Sequence, residues 1–455
     1  NGTINWSLGY LRGGNSATLT NASGATFNDQ NASGYSINNP FGGSFSFINN
    51  GTYTRNVGSV TYFDVPLYNN ATVNLQQGTI QLRADGTMSA TSVVNASAGT
   101  NLIFTNNYTL ETGAEFKGDG TIKQTGGTLT IDGNLKAVAF EWQSGNWNSA
   151  AAATTTIDAT TVLNLTTTGN KDFNQRSITN NGTVNWNLGY IRGGNGSVFT
   201  NAAGALFNDL NTSGYTINNP FGGIFSFVNQ GTYHKTTLGT TVVGVPFTND
   251  SGEIKVDAGK LQFSNTFTQI AGSLAVANNA TLQFDSGLNL SAGKLGGSGT
   301  IIGNVTTSGE ISPGNSAGTF NITGDLTFGS TSGLKVELGG TTQGTEYDFL
   351  DITGAATLNG TLSLSFISNF EISAQSTDTF IIVDSSALSG QFSNVSNGSR
   401  ITTTDGLGSF IVNYSSIAVS LSDFQAVPEP STWALMSLGG LLLIYHQIRL
   451  RPQRK

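Results

Sequence analysis

The chain copies itself. Residues Asn1–Pro66 recur as Asn181–Pro246 at a constant offset of 180 and without a gap, with roughly 60% identity. Asn1-Gly2-Thr3-Ile4-Asn5-Trp6 returns as Asn181-Gly182-Thr183-Val184-Asn185-Trp186, and Tyr35-Ser36-Ile37-Asn38-Asn39-Pro40-Phe41-Gly42-Gly43 as Tyr215-Thr216-Ile217-Asn218-Asn219-Pro220-Phe221-Gly222-Gly223. Inside each copy a smaller unit repeats: an apolar residue, a spacer, Asn, then Gly two or three residues on. It occurs at Leu19/Asn21/Gly24, Phe47/Asn49/Gly51, Ile178/Asn180/Gly182, Phe199/Asn201/Gly204, Phe227/Asn229/Gly231 and Phe247/Asn249/Gly252. Steps of about 20 to 28 residues suit one coil of a solenoid made of short strands. The apolar residue is then expected inside, the Asn amide stacked on its neighbours at a corner, and the Gly at positive φ in the turn that follows.

Strand patterning agrees. Ser44–Phe47, Thr128–Asp132, Gly272–Val276 and Asn359–Phe366 alternate apolar with small polar residues, and each is closed by Gly or Asn. Before Thr432 no stretch holds a helical period, and Ala150–Thr156 reads as loop. Abundant Gly, Asn, Ser and Thr with few charges could mean disorder, but 27 Phe and widespread β-branched residues argue for a folded, β-rich chain. The absence of cysteine rules out a disulfide framework, a thiolate metal site and a cysteine nucleophile. A net charge of −8, with Lys and Arg clustered only at the end of the chain, argues against nucleic acid as a partner.

From about Ser264 the coils become more regular. Gly297-Ser298-Gly299-Thr300-Ile301, Ile311-Ser312-Pro313-Gly314-Asn315-Ser316-Ala317-Gly318-Thr319 and Glu346-Tyr347-Asp348-Phe349-Leu350-Asp351-Ile352-Thr353-Gly354 resemble the β-strand repeats of autotransporter and filamentous haemagglutinin-like passengers. That resemblance implies an all-β fold, a right-handed parallel β-helix, and an architecture more than a chemistry. The strands between Phe366 and Asp423 are expected to cap the last coil, whose edge would otherwise invite aggregation.

The last 29 residues differ from everything before them. Val427-Pro428-Glu429-Pro430 cannot continue a helix and offers an exposed, extended strip. An apolar run follows, Trp433 to Tyr445, with Leu435, Leu438, Leu441, Leu442, Leu443 and Ile444, and then a basic end of Arg449, Arg451, Arg454 and Lys455. Thirteen helical residues reach about 20 Å against a hydrocarbon core of about 30 Å, so the run spans a membrane only marginally. The cationic end would stay cytoplasmic and leave the body outside. In order and type these elements resemble the PEP-CTERM sorting signal of Gram-negative bacteria; the departure is Tyr445–Ile448, which separates the run from the first arginine. The resemblance implies recognition by an exosortase, a membrane-embedded protease or transpeptidase. It also implies inner-membrane tethering before processing, then transfer to the envelope, outer surface or exopolysaccharide matrix. Export requires a signal peptide, and the chain opens on Asn1 with no such segment, so it is expected to be a fragment that starts in mid-motif.

The body offers little catalytic chemistry. Glu346, Asp348 and Asp351 form the densest carboxylate group, with Glu346 and Asp348 on one face by alternation, yet they read as a solvated turn. Glu141 beside Trp142 and Trp147 reads as a surface acid near core aromatics. Asp29 recurs as Asp209, but Asp64 becomes Gly244, so no carboxylate pair survives the duplication. His234 has no repeat counterpart and no ligand-spaced partner, so no metal and no cofactor are expected. The repeated surface set is Trp6, Tyr10 and Arg12 with Trp186, Tyr190 and Arg192. On a straight strand Ile4, Trp6, Leu8, Tyr10 and Arg12 share one face. With Ile4 and Leu8 inside, Trp6 belongs to the core, and the other reading is a pair of glycan-stacking sites. An ice- or crystal-binding face would need threonine rows on successive coils, whereas Thr154–Thr156 and Thr402–Thr404 read as single runs.

The expectation is an exported, non-enzymatic structural or adhesin-like protein of the cell envelope or biofilm matrix. Residues 1–300 form a solenoid in which 1–70 repeats as 181–250, residues 301–425 form a passenger-like region with a cap, and residues 427–455 form the sorting signal with one short hydrophobic helix. The alternative is a β-helix carbohydrate-active enzyme or glycan-binding protein.

Overall fold

The computed structural model describes residues 2–314, 316–427 and 442–446. The chain is a parallel β-helix that divides into two compact units, one of residues 2–289 with 301–303, the other of residues 290–300 with 304 onward.

In the first unit each coil carries three strand positions. Thr3–Trp6, Leu11–Arg12 and Ala17–Asn21 pair in parallel and in register with Thr26–Asp29, Ser36–Asn38 and Phe45–Asn49. Thr52–Phe63 then serves two positions at once, Arg55 stacking under Asp29 and Phe63 under Ile37. Alternation sets the faces. Phe27, Phe47, Tyr53, Phe63, Phe199, Phe207, Phe227 and Phe247 are sealed inside, and neighbouring rings stack or meet edge to face down the axis.

The expected asparagine ladder is present in both copies. Asn49 Nδ2 donates to Asn69 Oδ1 at 2.7 Å and Asn21 Nδ2 to Asn49 Oδ1 at 2.8 Å. In the second copy the chain of amides runs Asn180, Asn201, Asn229, Asn249 and on to Gln269, all buried. The glycines of the repeat divide into two kinds. Gly24 and Gly204 take positive φ, 73° and 80°, as the turn requires. Gly51, Gly182, Gly231 and Gly252 do not. At Gly231 a Cβ would lie 2.4 Å from the carbonyl oxygens of both Ala202 and Ala205, so close approach of the adjacent coil is what excludes a side chain there.

The two copies do not occupy the same face. Trp6 stacks on Asp29, Arg55, Leu75 and Ala96. The neighbouring stack runs Leu11, Ile37, Phe63, Leu82, Phe104, Gln124, Trp142, Leu165 and then Trp186. Trp186, the counterpart of Trp6, therefore lies one strand position further round the coil.

In the second unit, parallel pairing continues through Gly333–Leu338 with Thr361–Phe366 and through Phe349–Leu358 with Phe380–Gly390. Beyond that the direction changes. Phe380–Gly390 pairs antiparallel with Ala418–Ala426, which pairs antiparallel with Gly408–Tyr414. Phe366, Phe370, Phe380, Phe410 and Phe424 pack together behind these strands.

Residues 442–446 are helical, and no helix among the described residues is long and apolar enough to cross a membrane. Pro428, Glu429, Pro430, Trp433, Leu435, Leu438, Leu441, Arg449, Arg451, Arg454 and Lys455 lie outside the described residues. Leu442, Leu443 and Ile444 are within them and exposed.

Candidate functional site

Two clusters recur at the offset of 180, one inside the coils and one outside. The inner cluster is ionic. Asp29 accepts from Arg55 Nη1 at 2.8 Å, Tyr53 Oη at 2.7 Å and Thr61 Oγ1 at 2.6 Å, and both charged side chains have zero exposure. Its counterpart is Asp209, with Tyr233 Oη at 3.0 Å and Lys235 Nζ at 3.8 Å, again with zero exposure on both charged partners. Lys235 also donates to Thr241 Oγ1 at 3.2 Å. Burial pushes the Asp209 carboxyl above its ordinary range, and burial lowers the Lys235 ammonium. With no access from solvent these groups hold coils together and meet no substrate. Sequence reading caught Asp29 and Asp209 but not their cations, although Arg55 and Lys235 stand 180 apart and share the sign.

The outer cluster is aromatic. Trp6 and Trp186 leave it. They are 4% and 0% exposed, and each indole donates to a turn carbonyl, of Gly9 at 2.8 Å and of Gly189 at 2.7 Å. The shared-face expectation holds for Trp6 alone: Ile4 is 43% exposed, and past Trp6 the strand ends, the chain turns through Gly9 at φ 82°, and Leu8 and Tyr10 point out. Tyr10 and Tyr190 stay on the surface, each meeting a second tyrosine edge to face at 5.0 Å, Tyr35 and Tyr215. Arg12 lies over the Tyr10 ring at 4.9 Å and Arg192 over the Phe221 ring at 5.7 Å. Arg192 also grips Asp172 through two bonds of 2.7 Å. Tyr35, Tyr215 and Phe221 were missed as members, and Phe41 is the repeat counterpart of Phe221; the identity of the two Asn-Asn-Pro-Phe-Gly-Gly loops was the available signal.

The carboxylates do not converge. Glu346 is exposed and accepts the Thr341 and Thr342 amides at 3.0 and 2.8 Å, whereas Asp348 is fully buried and accepts Gly318 N at 3.0 Å and Glu337 N at 2.8 Å. Alternation failed there because the segment is a turn, not a strand, before Phe349. Asp351 is a strand residue in register with Asp384. Trp142 and Trp147 are buried and stacked on each other at 4.1 Å, so neither presents a face to a sugar beside Glu141. His234 hydrogen-bonds Asp257 at 2.7 Å, and no group of three or more metal-ligating side chains occurs among the described residues.

One threonine row does exist, broken once by a valine, contrary to the reading of Thr154–Thr156 as an isolated run. Strand register aligns Thr156, Thr179, Thr200, Val228, Thr248 and Thr268 on successive coils, all pointing outward. Unequal coil lengths hide the row in the sequence.

No protein-family model matches this chain, and no curated protein is detectably similar to it.

Proposed function

We propose that the protein is an exported, non-enzymatic structural or adhesive component of the bacterial envelope or matrix, delivered by its C-terminal tail. One observation carries the reading. Ala418–Ala426, the last strand among the described residues, runs up to the start of the Pro-Glu-Pro motif, and Val427 N still donates to Leu407 O at 2.9 Å. A processing enzyme that grips the Pro-Glu-Pro motif works immediately beside the edge of the folded sheet. In the repeated interior cluster the charges pair with each other, Asp29 with Arg55 and Asp209 with Lys235, which suits a scaffold better than a reaction centre. An exosortase is the implied partner, and the membrane is a holding surface before release to the outer surface or to exopolysaccharide.

The test is to fuse the chain to an export signal and express it in a Gram-negative host with and without an exosortase. Fractionation and C-terminal mass spectrometry should show the tail removed and the body released only when the enzyme is present. Pro428→Ala with Pro430→Ala should block removal. A tail that stays intact with the enzyme present overturns the reading.

A second reading is favoured by the threonine row. Its methyls repeat about every 4.8 Å across the coils, as strand spacing dictates, and its hydroxyls do so except at Val228, on a face whose row carries no charge. Such a face suits ordered water. Thermal hysteresis and ice-recrystallisation assays should then show activity that Thr200→Lys abolishes, and inactivity of the unaltered protein rejects this reading.

A further inference from the structure

This inference rests on the first reading above and names what the scaffold holds. We propose that Tyr10, Arg12, Tyr35 and Phe41 form a docking site for a neutral polysaccharide, that Tyr190, Arg192, Tyr215 and Phe221 form a second, and that the protein bridges two chains through them.

Retention is the first argument. Duplicated copies drift wherever nothing holds them, and exposed positions near the loops have drifted: Ser44 became Ile224, Gly58 became Leu238 and Asp64 became Gly244. Residues 38–43 and 218–223 are identical. Packing does not explain this for Phe41, which is 62% exposed. A retained aromatic on a surface loop marks recognition more often than folding.

The loops are also built in advance of any ligand. Asn39 Nδ2 donates to Gly43 O at 2.7 Å, and Asn15 N to Gly42 O at 2.7 Å. The second copy repeats both bonds, Asn219 Nδ2 to Gly223 O at 2.9 Å and Asn195 N to Gly222 O at 2.8 Å. Gly14 and Gly194 lie beneath, where a Cβ would strike the Phe41 and Phe221 Cβ atoms at 2.7 and 2.6 Å. A site fixed this way loses little entropy when it binds.

The chemistry selects a neutral sugar. Tyrosine and phenylalanine rings offer apolar faces to the C–H side of a pyranose, and the arginine supplies donors for hydroxyls at the edge. An acidic polymer would meet a chain of net charge −8, and at the second site Asp172 already neutralises the arginine.

Geometry makes the protein a bridge. The first loop joins the stack of Leu11 to the stack of Ala17. The second leaves Thr216–Asn218, one strand position further round, because Trp186 took over the stack that Leu11 began. The two sites face different directions, so one straight chain cannot lie across both.

The test uses the full chain with beads coated in soluble β-glucan, mannan or galactan, and alginate beads as the acidic control. The unaltered protein should bind and agglutinate at least one neutral glycan. Tyr10→Ser with Phe41→Ser, or Tyr190→Ser with Phe221→Ser, should leave binding but abolish agglutination. All four together should weaken binding about tenfold or more. Thermal melting verifies folding, and Phe41→Ser alone, at an exposed position, serves if Tyr10→Ser unfolds. Agglutination by either two-residue variant, binding to none of the neutral glycans, or preference for alginate overturns the proposal. Tail processing is read separately, so either conclusion can fail without the other.

Discussion

Arg55 reaches Asp29 at 2.8 Å, while Lys235, which stands in its place 180 residues later, reaches Asp209 only at 3.8 Å. Both pairs are sealed from water. The difference lies in what each cation can do when its partner is removed. Arginine cannot give up its proton, but burial already lowers the Lys235 ammonium. Asp29→Ala should therefore cost about 3–5 kcal/mol and Asp209→Ala distinctly less, measured by denaturant unfolding at neutral pH. Equal costs would show that Lys235 stays charged.

Lys171 is buried without a carboxylate bond, its ammonium donating to the carbonyls of Gln143 and Thr167 at 3.1 Å. Burial lowers it from 10.5 to about 8. Between those values the unfolded chain holds a proton that the folded one lacks, so this group's contribution to stability rises as pH climbs from about 8 and is smallest below 8. The stability gap between Lys171→Met and the unaltered protein should shift in favour of the unaltered chain from pH 7 to pH 9.5. A constant gap contradicts this.

Asp348 shows the opposite slope. Burial, opposed by the Glu337 and Gly318 amides, pushes its carboxyl from 3.8 up to about 7. The folded chain holds the extra proton between those values, so stability falls as pH rises from about 4 to 7 and levels off above. Asp348→Asn should flatten that part of the profile and, by turning an amide NH₂ toward backbone donors, cost about 1–3 kcal/mol at pH 7.

Along the asparagine ladder the cost should depend on position. Asn229 bonds Asn201, Asn249 and the Glu253 carbonyl, whereas Asn21 has one ladder neighbour. Asn229→Ala should lose about 1–3 kcal/mol and Asn21→Ala less, by denaturant titration.

Deleting residues 366–423 removes Phe380–Gly390 from the edge of Phe349–Leu358, together with most of the antiparallel strands beyond it, and leaves that parallel edge open. The truncated chain should associate, as seen by light scattering. A soluble monomer would show that these strands do not act as a cap.

What the sequence disclosed followed its periods. Phe227, Asn229 and Gly231 recur at coil spacing, so the inward ring and the stacked amide are readable from the sequence. Arg55 was not, since a charge on an alternating strand reads as solvent-facing and its aspartate lies 26 residues away on the preceding coil. Tyr10 and Arg12 were legible as a repeated surface pair, but Tyr35 joins Tyr10 only across coils. The role of Gly231 depends on the carbonyls of Ala202 and Ala205, which no local pattern reveals.

The offset of one strand position between Trp6 and Trp186 bears on how such a gene can lengthen. A copied block had to meet its neighbours with an in-register ladder, but it did not have to begin where a coil begins. Each of the three strand positions accepts an inward aromatic, so an unequal crossover has three productive phases where a closed barrel has none. A copy that joins in a new phase aims its outer loop in a new direction with the loop residues 38–43 and 218–223 unchanged.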